Sequence, residues 1–224
     1  MLARLIPLLL LVLTRDGVLH RYDGHHDTTE KVARAAAVAV LADGRVALLA
    51  GDRVLVDGKA IRGRFAGARA LAGGERLWLL DGAGVGELDP KTGARTPLLV
   101  NAHAHLLAAD GAAGFAEDQG TILEIGTPRM WHVAGRPIAM TAGDGKLYVA
   151  TKAGPLVEID RRTGTQRVLP VGDWWGTLAL AWGGHALYAV TVAGKLWRID
   201  PARGEKTIVA MDGWQGAIDL SVLR

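Results

Sequence analysis

The chain of 224 residues contains no cysteine, a single serine (Ser221) and a single asparagine (Asn101). Without cysteine, disulfide bonds, thiolate catalysis and cysteine-ligated zinc sites are excluded. The one serine lies near the end of the chain and outside any Gly-x-Ser-x-Gly setting, which removes the usual acyl-transfer hydrolases. Basic residues are not clustered either, since 26 Lys and Arg are scattered among 23 Asp and Glu. We therefore expect no nucleic-acid partner.

Glycine and apolar residues are abundant. Thirty glycines and an apolar fraction of 50% indicate a well-filled core with many short elements joined by tight turns, a pattern that argues against a helical bundle. No polar or charged run resembles a disordered tail. The sequence predicts one ordered domain over residues 1–224.

An internal repeat is the strongest signal in the sequence. The pattern Leu-Tyr-x-x-Thr-x-Ala-Gly-x-Leu-x-x-Ile-Asp occupies residues 147–160 and 187–200 without a gap. Each copy is followed by a charged turn that ends in glycine and then by a β-branched segment. Weaker copies occur around residues 46–56, 77–89 and 115–125, and an alanine-rich stretch precedes each copy. One unit therefore reads as four short strands joined by tight turns.

The spacing of the units predicts the fold. Equivalent positions are 31 to 40 residues apart, and 224 residues in six units give about 37 per unit; these positions are Gly17, Arg53, Gly84, Gly120, Gly154 and Gly194. Four strands in that length match one blade of a β-propeller. We predict an all-β, six-bladed propeller with alanines on the crowded inner strands and larger side chains further out. The aromatic residues Trp78, Tyr148, Tyr188 and Trp197 are expected in its core.

The two ends of the chain are predicted to complete one blade together. Residues 214–222 repeat the first strand of a unit, and no second strand follows. The apolar run 7–14 aligns with the second strand at 185–191, and residues 15–23 align with the third at 192–200. The alternative is that residues 1–14 are a secretion signal, although no Ala-x-Ala cleavage site follows. The strand interpretation favours a cytoplasmic protein without membrane insertion, whereas a signal would make it secreted or periplasmic.

The repeated pattern resembles the generic blade of the NHL, YVTN and quinoprotein-like propellers. The resemblance covers nearly the whole chain and implies a fold, not an activity, because propellers carry many unrelated functions. The calcium-dependent six-bladed lactonases hold their metal with a Glu, an Asp and two Asn. A single asparagine, Asn101, does not supply that set.

The predicted register brings certain loops together on one face. In a propeller, the loops that enter the first strand of each blade and those that leave the second strand surround the same end of the channel. Tryptophan and arginine dominate binding energy at interfaces, so we expect a non-catalytic propeller that binds a protein partner or a small ligand there. Ordinary packing at the channel mouth is the alternative for the tryptophans. The candidate binding residues are Arg34, Arg64, Asn101, Arg136, Trp174, Trp175, Trp214 and Gln215.

Histidine offers an alternative function. His103 and His105 share one side of a strand, a spacing that can present two imidazoles to a metal, although we favour surface or structural histidines as the interpretation. The alternative is a lyase or metal-dependent hydrolase that uses one of them with Glu117 or Asp118. No third ligand is apparent, and we expect no cofactor.

Overall fold

The computed structural model describes residues 9–100 and 103–223, which form six four-stranded antiparallel sheets. The first blade contains β24 (Ala217–Leu223), β1 (Leu9–Thr14), β2 (Val18–Tyr22) and β3 (Asp27–Lys31). The second contains β4 (Ala35–Val40), β5 (Val46–Ala50), β6 (Arg53–Val56) and β7 (Lys59–Ala60), and the third β8 (Ala70–Gly73), β9 (Leu77–Asp81), β10 (Gly84–Leu88) and β11 (Arg95–Val100). The fourth contains β12 (Leu106–Asp110), β13 (Ala113–Asp118), β14 (Thr121–Glu124) and β15 (Met130–His132). The fifth contains β16 (Pro137–Gly143), β17 (Lys146–Thr151), β18 (Leu156–Asp160) and β19 (Gln166–Val168), and the sixth β20 (Thr177–Trp182), β21 (Leu187–Thr191), β22 (Leu196–Asp200) and β23 (Glu205–Ala210).

The six sheets form a closed ring, so the predicted six-bladed β-propeller is confirmed. The first strands β4, β8, β12, β16, β20 and β24 follow one another around the axis. No helix occurs within residues 9–100 and 103–223, so none there could cross a membrane.

The ring closes as the sequence predicts. Strand β24, from the C-terminal end of the chain, pairs antiparallel with β1, with Leu9 opposite Leu223 and Leu13 opposite Asp219. On its other side β24 packs between β20 and β4, the first strands of the adjoining blades. The part of the apolar N-terminal run that the structure describes, Leu9–Thr14, is therefore an interior strand of the first blade.

Small side chains are frequent on the inner strands. The buried alanines there include Ala39, Ala139 and Ala181, because neighbouring blades come closest near the axis and favour small groups. The next strands carry large side chains. Trp78 and Tyr148 are almost fully buried, as predicted, and Tyr148 stacks on Trp182 of the next blade with ring centroids 5.2 Å apart.

The recurring aspartate of the repeat closes the outer turn. The Oδ1 atom of Asp160 accepts hydrogen bonds from the backbone N–H groups of Arg162 and Thr163, and Asp89 and Asp200 accept the corresponding pairs in their blades. Such side-chain-to-backbone bonds stabilise turns locally. In Asp160 the bond from Thr163 holds the pKa of the carboxyl below its usual value. The Ile-Asp and Thr-Gly elements of the repeat therefore recur because they stabilise this outer turn.

Candidate functional site

Backbone hydrogen bonds tie the entry of each first strand to the exit of the second. In four blades the residue after the second strand donates its N–H to the residue before the first strand; the pairs are Gly51 to Arg34, Lys152 to Arg136, Val192 to Gly176 and Arg15 to Gly216, at 2.7–2.9 Å. These loops surround one end of the propeller, which we call the strand-entry face. The candidate binding residues are predicted on the loops of this face.

Two of the predicted tryptophans on this face are buried. Trp174 and Trp214 are each only 4% exposed. Trp174 packs edge-on against Trp197 at 5.9 Å, and Trp214 packs against His20 at 4.9 Å. These contacts agree with the packing interpretation of both side chains, because neither indole is displayed to a partner.

The burial of Trp174 has a repeated structural cause. Its N–H donates to the carbonyl of Gly154 at 2.6 Å, and the same bond joins Val32 to Gly17 and Val133 to Gly120. In each blade this bond turns an apolar side chain inward, and all three residues are buried. A tryptophan at this position is therefore the largest member of a set of packing residues.

Trp175, in contrast, points into solvent. Its side chain is 64% exposed, and Val192, on the adjoining turn, is 49% exposed. The two are neighbours because the Val192 N–H donates to the Gly176 carbonyl at 2.8 Å. The exposed Ala193 follows Val192 on the same turn. We call Trp175, Val192 and Ala193 the Trp175 patch.

The other predicted binding residues are distributed around the face. Arg34 is exposed and has a left-handed backbone with φ of 58°, and Arg64 is exposed with a guanidinium nitrogen 3.5 Å from Asp52. Gln215 lies against Gly194, on the turn that also carries Val192. Asn101 lies outside the described residues. Of the predicted set, Gln215 is thus close to the turn of the Trp175 patch, whereas Arg34 and Arg64 lie in other blades.

His105 and Glu117 meet in a cleft on the same face. The cleft has a volume of about 640 Å³, which lies within the range of small-molecule sites. Its polar lining includes His103, His105, Glu117, Gln119, His132 and Arg136. The His105 Nδ1 atom is 2.7 Å from Glu117 Oε2. Glu117 is fully buried, and its Oε1 accepts the Gly120 N–H at 2.7 Å.

The structure thus joins one histidine to one acid of the enzymatic alternative. His103 lines the same cleft, and Asp118 follows Glu117 on β13. Within residues 9–100 and 103–223, no three His, Asp or Glu side chains are grouped so that they could hold a metal ion. The arrangement offers a buried carboxylate beneath a half-exposed imidazole.

A second cavity, of 380 Å³, occupies the central channel toward the opposite end of the propeller. Its walls are the later parts of the six first strands and the turns that follow them. Asp219 on β24 is the one charged residue at a position where β4, β16 and β20 carry Ala37, Ala139 and Ala179. Desolvation raises the pKa of Asp219 to about 7.

Asp219 also links the composite blade to the second blade. Its Oδ2 accepts the Val38 N–H at 2.8 Å, and its Oδ1 accepts the N–H of Leu220 at 2.8 Å. Val38 belongs to β4, so this bond joins the last strand of the chain to the first strand of the next sheet. Asp219 is not among the predicted site residues, although an aspartate in place of an alanine of the repeat is a visible signal in the sequence.

We expect Asp219 to make stability depend on pH. Its pKa is about 7 when folded and near 3.8 when unfolded, so the folded chain holds a proton that the unfolded chain has lost. This stabilisation is complete below the unfolded pKa and disappears as pH rises through about 7. Three pKa units correspond to about 4 kcal/mol. Because Asp219 is only partly buried, the effect is reduced, and the free energy of unfolding should fall by about 1–3 kcal/mol between pH 5 and 8.

Asp219→Asn should remove that part of the pH dependence, as measured by urea unfolding at both pH values. Asp144→Asn is the matched control, because Asp144 is exposed and its substitution should leave the difference unchanged. Parallel pH profiles for the wild type and Asp219→Asn would refute this role.

Similar folds occur among solved structures. A protein of unknown function from Bacteroides caccae matches with a TM-score of 0.69 and 14% identity, over 97% of this chain and 99% of that one. AztD from Citrobacter koseri, in its apo form, matches with a TM-score of 0.54 and 15% identity, over 94% of this chain and 74% of that one. BamB from Moraxella catarrhalis matches with a TM-score of 0.53 and 20% identity, over 88% and 68%.

These similarities support the fold alone, because every identity is 20% or lower. No protein-family model and no curated protein matches the chain. Function is therefore argued from the residues of the strand-entry face.

Proposed function

We propose that this propeller is a binding protein whose strand-entry face docks a protein partner through the Trp175 patch. The observation that carries the proposal is the 64% exposure of Trp175 beside the 49% exposed Val192. Tryptophan is the residue type most enriched among the residues that dominate interface energy. Apolar loop residues such as Val32 and Val133 are buried in their blades. Trp175 lacks such burial, so contact with a partner would remove its apolar surface from water.

The shape of the patch favours a protein over a small molecule. Neither the cleft nor the channel cavity has Trp175 or Val192 in its lining. Small ligands bind in concave sites that enclose most of their surface. Trp175 stands on an open surface of turns, where a partner must bring a surface of its own to cover the indole.

The other large exposed apolar residues lie away from the loops of the strand-entry face. They are on or directly after the outermost strands of four blades: Leu98, Met130, Val168, Ile208 and Met211. Apolar residues on outer strands are normal on protein surfaces. Trp175 differs because it lies on the strand-entry face, and the exposed Val192 is on the turn bonded to the adjacent Gly176.

Trp175→Ala is expected to abolish partner capture without unfolding the protein. The proteins retained by the immobilised wild type from a lysate of the source cells would be identified by quantitative mass spectrometry and compared with those retained by the variant. A purified partner should then bind at least about tenfold more weakly to the variant, while the melting temperature stays nearly unchanged because the side chain is exposed.

Met130→Ala serves as the matched control, since it removes an equally exposed apolar side chain at the outer edge of another blade. It should retain every partner. The proposal fails when Trp175→Ala retains the same partners with the same affinity as the wild type and Met130→Ala.

A further inference from the structure

The cleft between the fourth and fifth blades has features that the docking of a protein does not use. It is a concave volume of 640 Å³, and it lies among the loops around β13, β15 and the start of β16. Arg136 lines it with an exposed side chain. Arg136 forms no ion pair within the part of the chain that the structure describes. It is therefore a cation available to a ligand.

A tight turn fixes the floor of the cleft. Gln119 has a left-handed backbone with φ of 52°, which turns the Gly120 N–H onto Glu117 Oε1 at 2.7 Å. A non-glycine residue in this region is uncommon. The turn holds the buried carboxylate in place and leaves the exposed Gln119 amide at the rim.

His105 lies beside a buried carboxylate and a backbone carbonyl. Its Nδ1 atom lies 2.7 Å from Glu117 Oε2, and its Nε2 atom lies 3.4 Å from the Pro137 carbonyl oxygen. The side chain of His105 is 39% exposed and that of Glu117 is 0% exposed. The imidazole ring, and not the carboxylate, is therefore accessible to a ligand.

The groups that a ligand can reach in the cleft are mostly donors. Glu117 is fully buried, whereas Arg136 is exposed. A guanidinium offers paired donors that match the two oxygens of a carboxylate or phosphate. His103 and His132 line the same space, and each imidazole carries at least one ring N–H. These donors suit an anion.

We propose that this cleft binds a small oxyanion, a carboxylate or phosphate group of a small molecule, through Arg136 and the imidazole ring of His105. The Nε2 side of the His105 ring can turn to the ligand because its present contact with the Pro137 carbonyl oxygen is long at 3.4 Å. The site is separate from the Trp175 patch. The inference goes beyond the docking of a protein partner and does not depend on it.

Titration calorimetry with inorganic phosphate and with malonate tests the site on the whole chain, at constant ionic strength set by sodium chloride. We expect saturable binding of at least one of the two anions. The anion that binds more tightly shows whether the site prefers a phosphate or a carboxylate. Arg136→Gln should weaken binding by roughly tenfold or more, because it removes a charge-assisted pair of hydrogen bonds.

Lys152→Gln is the matched control, since Lys152 donates its backbone N–H to Arg136 but does not line the cleft. Its effect should stay within about twofold, the scale of an exposed charge. The proposal is overturned by the absence of saturable binding of both anions, or by equal weakening in Arg136→Gln and Lys152→Gln. Partner capture by the Trp175 patch, assayed separately, is unaffected by either result.

Discussion

Leu11→Asp is expected to prevent the ring from closing, so that little soluble folded protein is recovered. Leu11 is fully buried on β1, where it lies opposite Ser221 of β24 and Arg21 of β2. Its side chain packs in the cluster that joins the composite blade to Val38 and Leu48 of the next blade. Removing the leucine contacts costs about 2–5 kcal/mol, and burying a carboxyl group without a partner adds to that loss.

The sum is comparable with the whole stability of a domain, which is about 5–15 kcal/mol. Circular dichroism and urea unfolding of purified protein would measure the effect. Val168→Asp is the control, because Val168 is 61% exposed on an outer strand and a charge there is tolerated. A Leu11→Asp variant as stable as Val168→Asp would mean that β1 is not an interior strand.

The fold could be predicted because the sequence pattern of one blade recurs along the chain. Residues 147–160 and 187–200 match without a gap, and the weaker copies can be aligned to these two. The closure followed from a missing second strand after residues 214–222 and a matching run near the N-terminus. Repetition converts a local pattern into a global arrangement, since each blade must pack on its neighbours in the same way.

The candidate site was less predictable because loops do not follow the strand period. Trp174 and Trp175 are adjacent and chemically identical, yet one is 4% and the other 64% exposed. The difference depends on the backbone bond from Trp174 to Gly154, which no alternation pattern reports. Only the comparison with Val32 and Val133 at equivalent positions distinguishes the packing residue from the exposed one.

The cleft could be predicted from the sequence in part, less well than the fold and better than the exposure of Trp175. The register places Glu117 at the exit of a second strand and His105 at the entry of the first strand of the same blade, and the structure brings them to 2.7 Å. Their proximity follows from antiparallel pairing of β12 and β13, in which Leu106 lies opposite Glu117. The burial of Glu117 and the left-handed Gln119 depend on the turn, so the sequence alone does not specify them.

Joining the two ends of the chain by a disulfide tests the closure most directly. The absence of cysteine makes the chain a clean background for Leu9→Cys with Leu223→Cys, a pair that lies in register across β1 and β24. Because the bond would close a loop spanning nearly the whole chain, the chain-entropy model gives about 5 kcal/mol of stabilisation. The control is Leu9→Cys with Val222→Cys, whose side chains point to opposite faces of the sheet.

The measurement is the fraction of monomer that forms the intramolecular bond under mild oxidation, read by mass spectrometry, together with the melting temperature before and after reduction. The closed ring predicts nearly complete bond formation for the Leu9 and Leu223 pair, a higher melting temperature when oxidised, and little bond formation in the control. No bond between positions 9 and 223, or equal bonding in both variants, would contradict the closure and with it the register that assembles the strand-entry face.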